Sequence, residues 1–139
     1  MIFLQISIGA FVSGMDAGKI YNSWPLMDSS YFRDDNNFND LFKVAALSDP
    51  SLVQFIPRNL AYLIGISYIL IFYKIYRKKM YDLYKSINYL GIFIILQIIL
   101  GIFTVLYGAQ IYIASLHQIS SIFLVSSSIY FFYINTKFS

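Results

Sequence analysis

Long apolar runs, broken by short polar segments, are the main pattern of the chain. Residues 52–73, 87–107 and 111–134 form three runs of about 20 residues. As helices rising 1.5 Å per residue, runs of this length cross the roughly 30 Å of hydrocarbon in a bilayer. The pattern predicts an all-α integral membrane protein.

A fourth apolar run, residues 1–14, is shorter than the others. As a helix it would reach only about 21 Å, so it is interpreted as the outer part of a helix whose beginning is absent, or as a helix that tilts, thins the bilayer or leans on a partner. The expected fold is an antiparallel four-helix bundle in a single membrane domain, residues 1–139. Its first helix is truncated, and a long outer loop, residues 15–51, joins helices 1 and 2.

Charged residues are concentrated in two of the connecting segments. Loop 15–51 carries six acidic and three basic residues, whereas half of the ten basic residues lie in segment 74–85: Lys74, Arg77, Lys78, Lys79 and Lys85. The positive-inside rule then predicts a protein of bacterial inner membrane type with segment 74–85 and both termini in the cytoplasm and loop 15–51 outside. Because this rule explains the net charge of +3, nucleic acid is not predicted as a partner.

Composition excludes several kinds of chemistry. The chain is 58% hydrophobic and 12% charged and has no cysteine, so disulfides, thiolate metal sites, iron–sulfur clusters and a cysteine nucleophile are absent. The sequence shows no carboxylate pair, glycine-rich phosphate loop, nucleophile with a base, or cluster with metal-ligand spacing.

The only histidine, His117, lies inside the last apolar run. A neutral imidazole can coordinate a metal, and its second nitrogen needs a partner that hydrocarbon does not supply. The alternative is a helix-contact residue that is hydrogen-bonded to Ser120, Ser121 or Gln97. The residues alone favour this second interpretation.

Three stretches resemble the second half of haem A synthases. They are Gly-Met-Asp-Ala-Gly-Lys-Ile-Tyr-Asn-Ser-Trp-Pro-Leu-Met at 14–27, Val-Gln-Phe-Ile-Pro-Arg-Asn-Leu-Ala-Tyr at 53–62, and Leu-Gly-Ile-Phe-Thr-Val-Leu at 100–106, which leads into Leu-His-Gln at 116–118. The first is specific, because an ordered mixture of Asp, Asn, Trp and Pro is not explained by membrane composition. Together the three stretches extend over nearly the whole chain, which resembles the C-terminal four-helix half of this family.

The resemblance implies a function and a cofactor. Haem A synthases have two similar four-helix halves and oxidise a methyl group of haem O to the formyl group of haem A, for cytochrome oxidase assembly. Each half offers two histidines to a haem, and the second half holds a haem b cofactor. By this resemblance His117 is an axial haem iron ligand and Arg58 is a candidate propionate partner, while the catalytic residues stay unknown. The implied oxidoreductase is not expected to act as this chain alone, and its partner is the N-terminal half or another copy of the chain.

One departure from the family pattern concerns the second ligand. The family motif reads Gln-Phe-x-His-Arg, whereas this chain has Pro57 where the histidine is expected. Proline cannot ligate iron, which leaves a five-coordinate iron, a sixth ligand such as Tyr62 or Met15, a histidine from another polypeptide, or no haem. Proline inside a helix also costs about 3 kcal/mol. The second helix therefore begins either at Pro57 or at the capping sequence Ser-Asp-Pro at 48–50.

A haem bound by His117 is expected between helices 2 and 4, with its propionates directed outward. The residues expected to pack its ring are Phe55, Leu60, Ile113 and Ser121. Arg58 has the alternative of snorkelling to the interface from a helix end. In loop 15–51, Asp16 and Asn22 are expected to cap helices and organise a turn, and Tyr21, Trp24 and Tyr31 to form an interfacial aromatic belt.

Two functions from different classes stay open. The first is the haem b-binding C-terminal half of a haem A synthase, which needs a separate or missing N-terminal half. The second is a non-enzymatic membrane scaffold or assembly protein that derives from this half and has lost haem binding.

Overall fold

The protein consists of four α-helices joined by one long loop and two short turns. The computed structural model describes residues 1–33, 38–41 and 43–138. The helices are α1, Ile2–Gly14; α2, Pro50–Arg77; α3, Tyr81–Leu106; and α4, Ile111–Phe138. Short 3₁₀ turns at Ala17–Lys19, Phe38–Asp40 and Val44–Ser48 lie in the long loop, residues 15–49. The described residues contain no β-strand, so the predicted all-α fold is confirmed.

Three of these helices, α2, α3 and α4, are long and apolar enough to cross a membrane, whereas α1 is short. The observed helices extend beyond the predicted runs. α3 begins at Tyr81 rather than at residue 87, and α4 continues to Phe138 rather than 134. The segment between α2 and α3 is therefore a turn of three residues, and most of the basic residues expected there belong to helix ends.

α2 begins at the capping sequence rather than at Pro57. The Asp49 carboxylate Oδ1 accepts hydrogen bonds from the backbone N–H groups of Ser51 and Leu52, at 2.8 and 3.3 Å, and Pro50 occupies the first helical position. This is the arrangement that N-caps favour, because it satisfies orphan donors of the first turn. Pro57 consequently lies inside the helix.

Both short connections use the same helix-terminating motif. At the end of α2, Met80 N–H donates to Ile75 O at 3.1 Å and Lys79 N–H to Tyr76 O at 3.2 Å. This pair of hydrogen bonds defines the Schellman motif, which places one residue in the left-handed region. That residue is Lys79, with a φ of 52°. A left-handed conformation costs a residue with a Cβ about 1–2 kcal/mol.

The second connection joins α3 to α4 in the same way. Gly108 has a φ of 61° and its N–H donates to Val105 O at 3.1 Å, while Ala109 N–H donates to Thr104 O at 2.8 Å. Glycine adopts this backbone conformation without steric cost. We call the end of the bundle that carries this connection and the long loop the loop end, and the opposite end, with the α2–α3 turn, the turn end.

The helices pack in chain order. α3 and α4 form the most extensive helix contact, α2 contacts both α1 and α3, and α1 meets α4 only slightly. α2 and α4 are each antiparallel to α3, so they run in the same direction.

The buried apolar core is unevenly distributed along the bundle. Its main cluster lies toward the turn end and consists of Ile75, Leu83, Ile87, Leu90, Ile94 and Leu124. A second, smaller cluster joins the long loop to the first turns of α2 and consists of Tyr21, Met27 and Phe55. Between these clusters the side chains of Ala61, Ile64, Thr104 and Ile113 are only half-buried. Side chains are therefore less completely buried toward the loop end than in the main cluster.

Gly91 allows a close contact between α3 and α2. A Cβ at this position would overlap the Tyr68 hydroxyl and would lie 2.6 Å from its Cζ. We expect Gly91→Ala to displace the Tyr68 ring and to lower the free energy of unfolding by about 1–3 kcal/mol. Gly65→Ala is the matched control, because no atom lies within 4 Å of its added Cβ. Denaturation in mixed micelles measures both, and equal stabilities of the two variants would contradict the close contact.

Candidate functional site around the single histidine

His117 and Pro57 lie at the same depth in the bundle. His117 is about 9 Å along α4 from its first residue, Ile111, and Pro57 is about 10 Å along α2 from Pro50. Because α2 and α4 run in the same direction, both positions are near the loop end. They lie in the part of the bundle where side chains are less completely buried.

A hydrogen-bond network of α3 and α4 surrounds the backbone of His117. Gln97 Nε2 donates to the His117 carbonyl at 3.1 Å, and the Ser120 hydroxyl donates to Gln97 Oε1. Gln97 Nε2 also lies 3.5 Å from His117 Nε2. Ser121 donates instead to the carbonyl of Gln118. Of the three side chains expected beside His117 in the helix-contact interpretation, Gln97 and Ser120 are therefore adjacent to it.

The imidazole itself is only partly satisfied by this network. Its Nδ1 is buried and has no hydrogen-bond partner among the described residues. A neutral imidazole has one donor and one acceptor, and a buried polar atom without a partner costs about 1–3 kcal/mol. The ring packs closely on Gly101, where an added Cβ would lie 3.2 Å from His117 Cε1. The helix contact alone therefore does not account for the polar atoms of this side chain.

Pro57 lies on the face of α2 that points into the bundle. Helical spacing places it on one face with Ala61, Ile64 and Tyr68, and the last two pack against the main core cluster. The Pro57 carbonyl accepts a hydrogen bond from Gln5 Nε2 of α1 at 3.0 Å. The position at which the sequence predicts a missing ligand is thus an interior position, at the depth of His117.

Arg58 holds the long loop against α2. Its Nη1 donates to the carbonyls of Ser23 and Leu26 at 2.9 and 3.1 Å, and its Nη2 donates to Tyr21 O at 2.9 Å. The Gln54 side chain donates to the same Tyr21 carbonyl at 3.1 Å. Three of the five guanidinium N–H groups are thereby used, and the buried Nε has no partner among the described residues. This loop-clamping role was not predicted from the sequence.

Phe55 is directed toward the long loop. It is buried in the loop cluster, where its ring makes edge contacts with Tyr31 and Phe32, at centroid distances of 5.6 and 4.9 Å. Phe55 is two residues from Pro57, about 200° around the helix, so it does not share the interior face. Its expected packing against a haem is therefore wrong. Tyr62 is seven residues after Phe55 and lies on the same loop-facing side of α2.

Other expectations for the loop are met only in part. Trp24 and Tyr31 are exposed, as interfacial aromatic residues would be, but Tyr21 is buried in the loop cluster and does not belong to a belt. Asp16 makes no side-chain capping hydrogen bond and pairs instead with Lys19 at 2.7 Å. Asn22 lies against Gly108, at the α3–α4 connection.

Tyr31 links the loop to α2 through its hydroxyl, which donates to Asn59 Oδ1. Burial, followed by the nearby Tyr62, raises the pKa of the Tyr31 hydroxyl. The hydroxyl is therefore protonated at neutral pH and available as a donor. This bond adds a second attachment of the loop beside the Arg58 contacts.

Within the described residues no group of three or more His, Asp or Glu side chains could hold a metal ion. Met15, one of the alternative ligands, is half-buried at the end of α1 and lines a surface cavity of about 370 Å³ with Ala10, Phe11 and Gly14. His117 thus remains the principal candidate for metal ligation.

Comparison with known proteins places this arrangement in a family context. The model of a family described as "Cytochrome oxidase assembly protein" matches residues 1–129. A protein named "Heme A synthase" from Pelagibacter ubique is 44% identical over 137 residues, which are 99% of this chain and 40% of that protein. Proteins of the same name from Rickettsia felis and Flavobacterium johnsoniae are 37% and 34% identical, covering 96% and 93% of this chain and 40% and 39% of theirs. No solved structure matches.

The chain therefore spans about 40% of the length of the curated relatives it matches. The match extends along almost the whole of this chain, through the long loop and all four helices. It confirms the predicted resemblance, and with the three apolar helices it indicates an integral membrane protein.

Proposed function

Since this chain belongs to the cytochrome oxidase assembly protein family, we propose that it acts in haem A biosynthesis as the haem b-binding, C-terminal four-helix half of a haem A synthase. The rest of such an enzyme is then supplied by an N-terminal half or by another copy of this chain. Under this proposal the loop end faces the outside of the membrane, and both termini face the cytoplasm.

The observation that carries the proposal is the incomplete hydrogen bonding of the His117 side chain. Its ring has a buried nitrogen without a partner among the described residues, and it lies at a depth where several apolar side chains are only half-buried. An unsatisfied imidazole among half-buried apolar side chains suits a haem, because the iron would take up the ring nitrogen and the apolar side chains would pack against the macrocycle. The single histidine would supply one protein ligand to the iron.

Each further residue then has a defined task. His117 would hold the iron from α4, and the half-buried side chains of Ala61, Ile64 and Ile113 would pack against the macrocycle. Arg58 contributes its two unused N–H groups to a propionate while its other donors keep the loop in place. A bound haem would supply a one-electron redox centre, and His117 would orient it with its propionates toward the loop end.

The test is the visible spectrum of the purified chain after expression with added haem, together with its Pro57→His variant. For the unaltered chain we expect the broad bands of a high-spin iron with one axial histidine. Pro57→His places an imidazole on the interior face at the depth of His117, so sharp reduced α and β bands of a low-spin iron are expected.

Leu63→His is the matched control for this test. It adds a histidine to an exposed position of the same helix, outside the interior face, and its spectrum is expected to equal that of the unaltered chain. The proposal fails if Pro57→His leaves the spectrum unchanged, or if Leu63→His produces the same low-spin bands.

A second proposal is supported by Pro57 itself. Because the position of the expected second ligand holds proline, the chain is also suited to a non-enzymatic scaffold or assembly role without haem. This role predicts no haem absorbance in the unaltered chain, in Pro57→His or in Leu63→His. It also predicts a stable complex between the chain and an N-terminal half in detergent.

A further inference from the structure

A cluster of cations at the turn end has no part in the site around His117. It contains half of the basic residues of the chain, and segment 74–89 holds a single carboxylate, Asp82. We call this cluster the basic turn; it consists of Lys74, Arg77, Lys78, Lys79 and Lys85.

The cations of the basic turn have no ion-pair partner among the described residues. The ion pairs seen in the described residues are Lys19 with Asp16 and Lys43 with Asp40, both at 2.7 Å and both in the long loop. Among the described residues no carboxylate lies within 4.0 Å of a cation of the basic turn. Five like charges therefore remain available to an anion from outside the chain.

The lengths of the helices place the basic turn at the level of lipid headgroups. α2 has 28 residues and α3 has 26, which correspond to about 42 and 39 Å. The hydrocarbon core is only about 30 Å thick, and headgroup regions bring the total to about 40–45 Å. The ends of both helices thus extend beyond the hydrocarbon into the headgroup region.

Aromatic rings hold the basic turn in a defined arrangement. The Tyr76 ring stacks between those of Phe72 and Tyr84, at centroid distances of 4.3 and 4.2 Å, which ties the end of α2 to the start of α3. Arg77 lies 5.9 Å from the centre of the Tyr73 ring, and Lys85 lies at the same distance from Tyr89. Tyr73 and Tyr81 are exposed, as aromatic side chains at membrane interfaces commonly are.

Lys79 adds a backbone observation. It occupies the left-handed position of the Schellman motif, where glycine is the usual residue because it avoids strain. Strain of this kind persists where the surrounding structure or a function compensates for it. Here the strained residue contributes one more cation to the cluster, at the tip of the turn.

We propose that the basic turn is a binding site for the phosphate headgroup of an anionic phospholipid. Its cations form no ion pair with the described residues, they lie at headgroup level, and stacked rings hold the turn that carries them. Each cation near an anionic membrane surface strengthens such binding. The site is independent of the haem proposal, since it lies at the opposite end of the bundle.

The experiment measures the selectivity of the full chain for lipids in vesicles. Spin-labelled phosphatidylglycerol and phosphatidylcholine are compared by the fraction of each that the protein immobilises. We expect a preference for phosphatidylglycerol that weakens in 1 M NaCl, because salt screens surface charge. Replacing two cations, in Lys78→Gln/Lys79→Gln, is expected to lower this preference roughly 25-fold, at about 5-fold per charge.

The matched control is Lys19→Gln/Lys43→Gln, which removes the same charge from the long loop. It is expected to keep the preference, since those lysines are paired with aspartates. Equal loss in both double variants would overturn the proposal by assigning the effect to net charge. Equal immobilisation of the two lipids, or full competition by millimolar inorganic phosphate, would also overturn it.

Discussion

Replacing His117 with alanine is expected to remove haem absorbance from the reconstituted chain completely. The single histidine is the only imidazole in the sequence, so no other residue of its type can take the axial position. The measurement is the Soret band of protein purified after expression with added haem, scaled to protein concentration. An unchanged Soret band in His117→Ala would exclude His117 from the site.

The structure indicates that this substitution leaves the helix pair intact. Gln97 and Ser120 form a network that reaches the backbone carbonyl of residue 117, and this part is retained in the variant; only the longer contact of 3.5 Å between Gln97 Nε2 and the imidazole is lost. The substitution also deletes a buried nitrogen that has no described partner. We therefore expect the stability of the haem-free protein to change by less than about 1 kcal/mol.

A rescue experiment separates ligation from structure. His117→Gly leaves a gap in which free imidazole can replace the side chain, and added imidazole is expected to restore the Soret band. Gln118→Ala, at the adjacent exposed position, is expected to bind haem like the unaltered chain. Failure of imidazole to restore absorbance, with the protein still folded, would indicate that His117 acts only as a packing residue.

Arg58→Ala is expected to have the largest effect on stability, about 3 kcal/mol. It removes three charge-assisted hydrogen bonds, each stronger than a bond between neutral groups, and leaves the carbonyls of Tyr21, Ser23 and Leu26 without this donor. Hydrogen exchange of loop residues 21–30 and thermal unfolding in detergent both measure the loss. Exchange is expected to accelerate in the loop more than in α3 and α4.

Two companion variants make this prediction specific. Arg58→Lys is expected to restore only part of the stability, because an ammonium group cannot reproduce the planar guanidinium donors that reach all three loop carbonyls. Arg77→Ala removes a cation of the same type that makes only a contact with the Tyr73 ring, with an expected effect of at most about 1 kcal/mol. Equal effects of Arg58→Ala and Arg77→Ala would contradict the loop-clamping role.

The helices were predictable from the sequence where hydropathy alone defines them. The start of α3 was not, because Tyr81, Asp82 and Lys85 give its first turns a polar average. The buried residues of this helix are Leu83, Ser86, Ile87, Leu90, Gly91 and Ile94. This spacing of three and four residues is helical, so periodicity indicates the earlier start where average hydropathy does not.

The candidate site was predictable only as far as individual residue types carry chemistry. His117 is recognisable as the only histidine, and Pro57 is recognisable because it replaces the histidine of the family motif. The role of Arg58 could not be deduced, because its acceptors are backbone carbonyls of a loop more than 30 positions away. Every residue type carries such a carbonyl, so the sequence contains no signal for it.

The uneven core has a consequence for the order of assembly. Its main cluster joins α2, α3 and α4 toward the turn end, whereas contacts of α1 with α4 are slight. A bundle built in this way can insert and fold from one end while the other stays open for a late-arriving component. Because α1 also contacts α2 and its Ile2 packs against the main cluster, maturation would proceed as two separable events, first the joining of the four helices and later the attachment of the clamped loop at the opposite end.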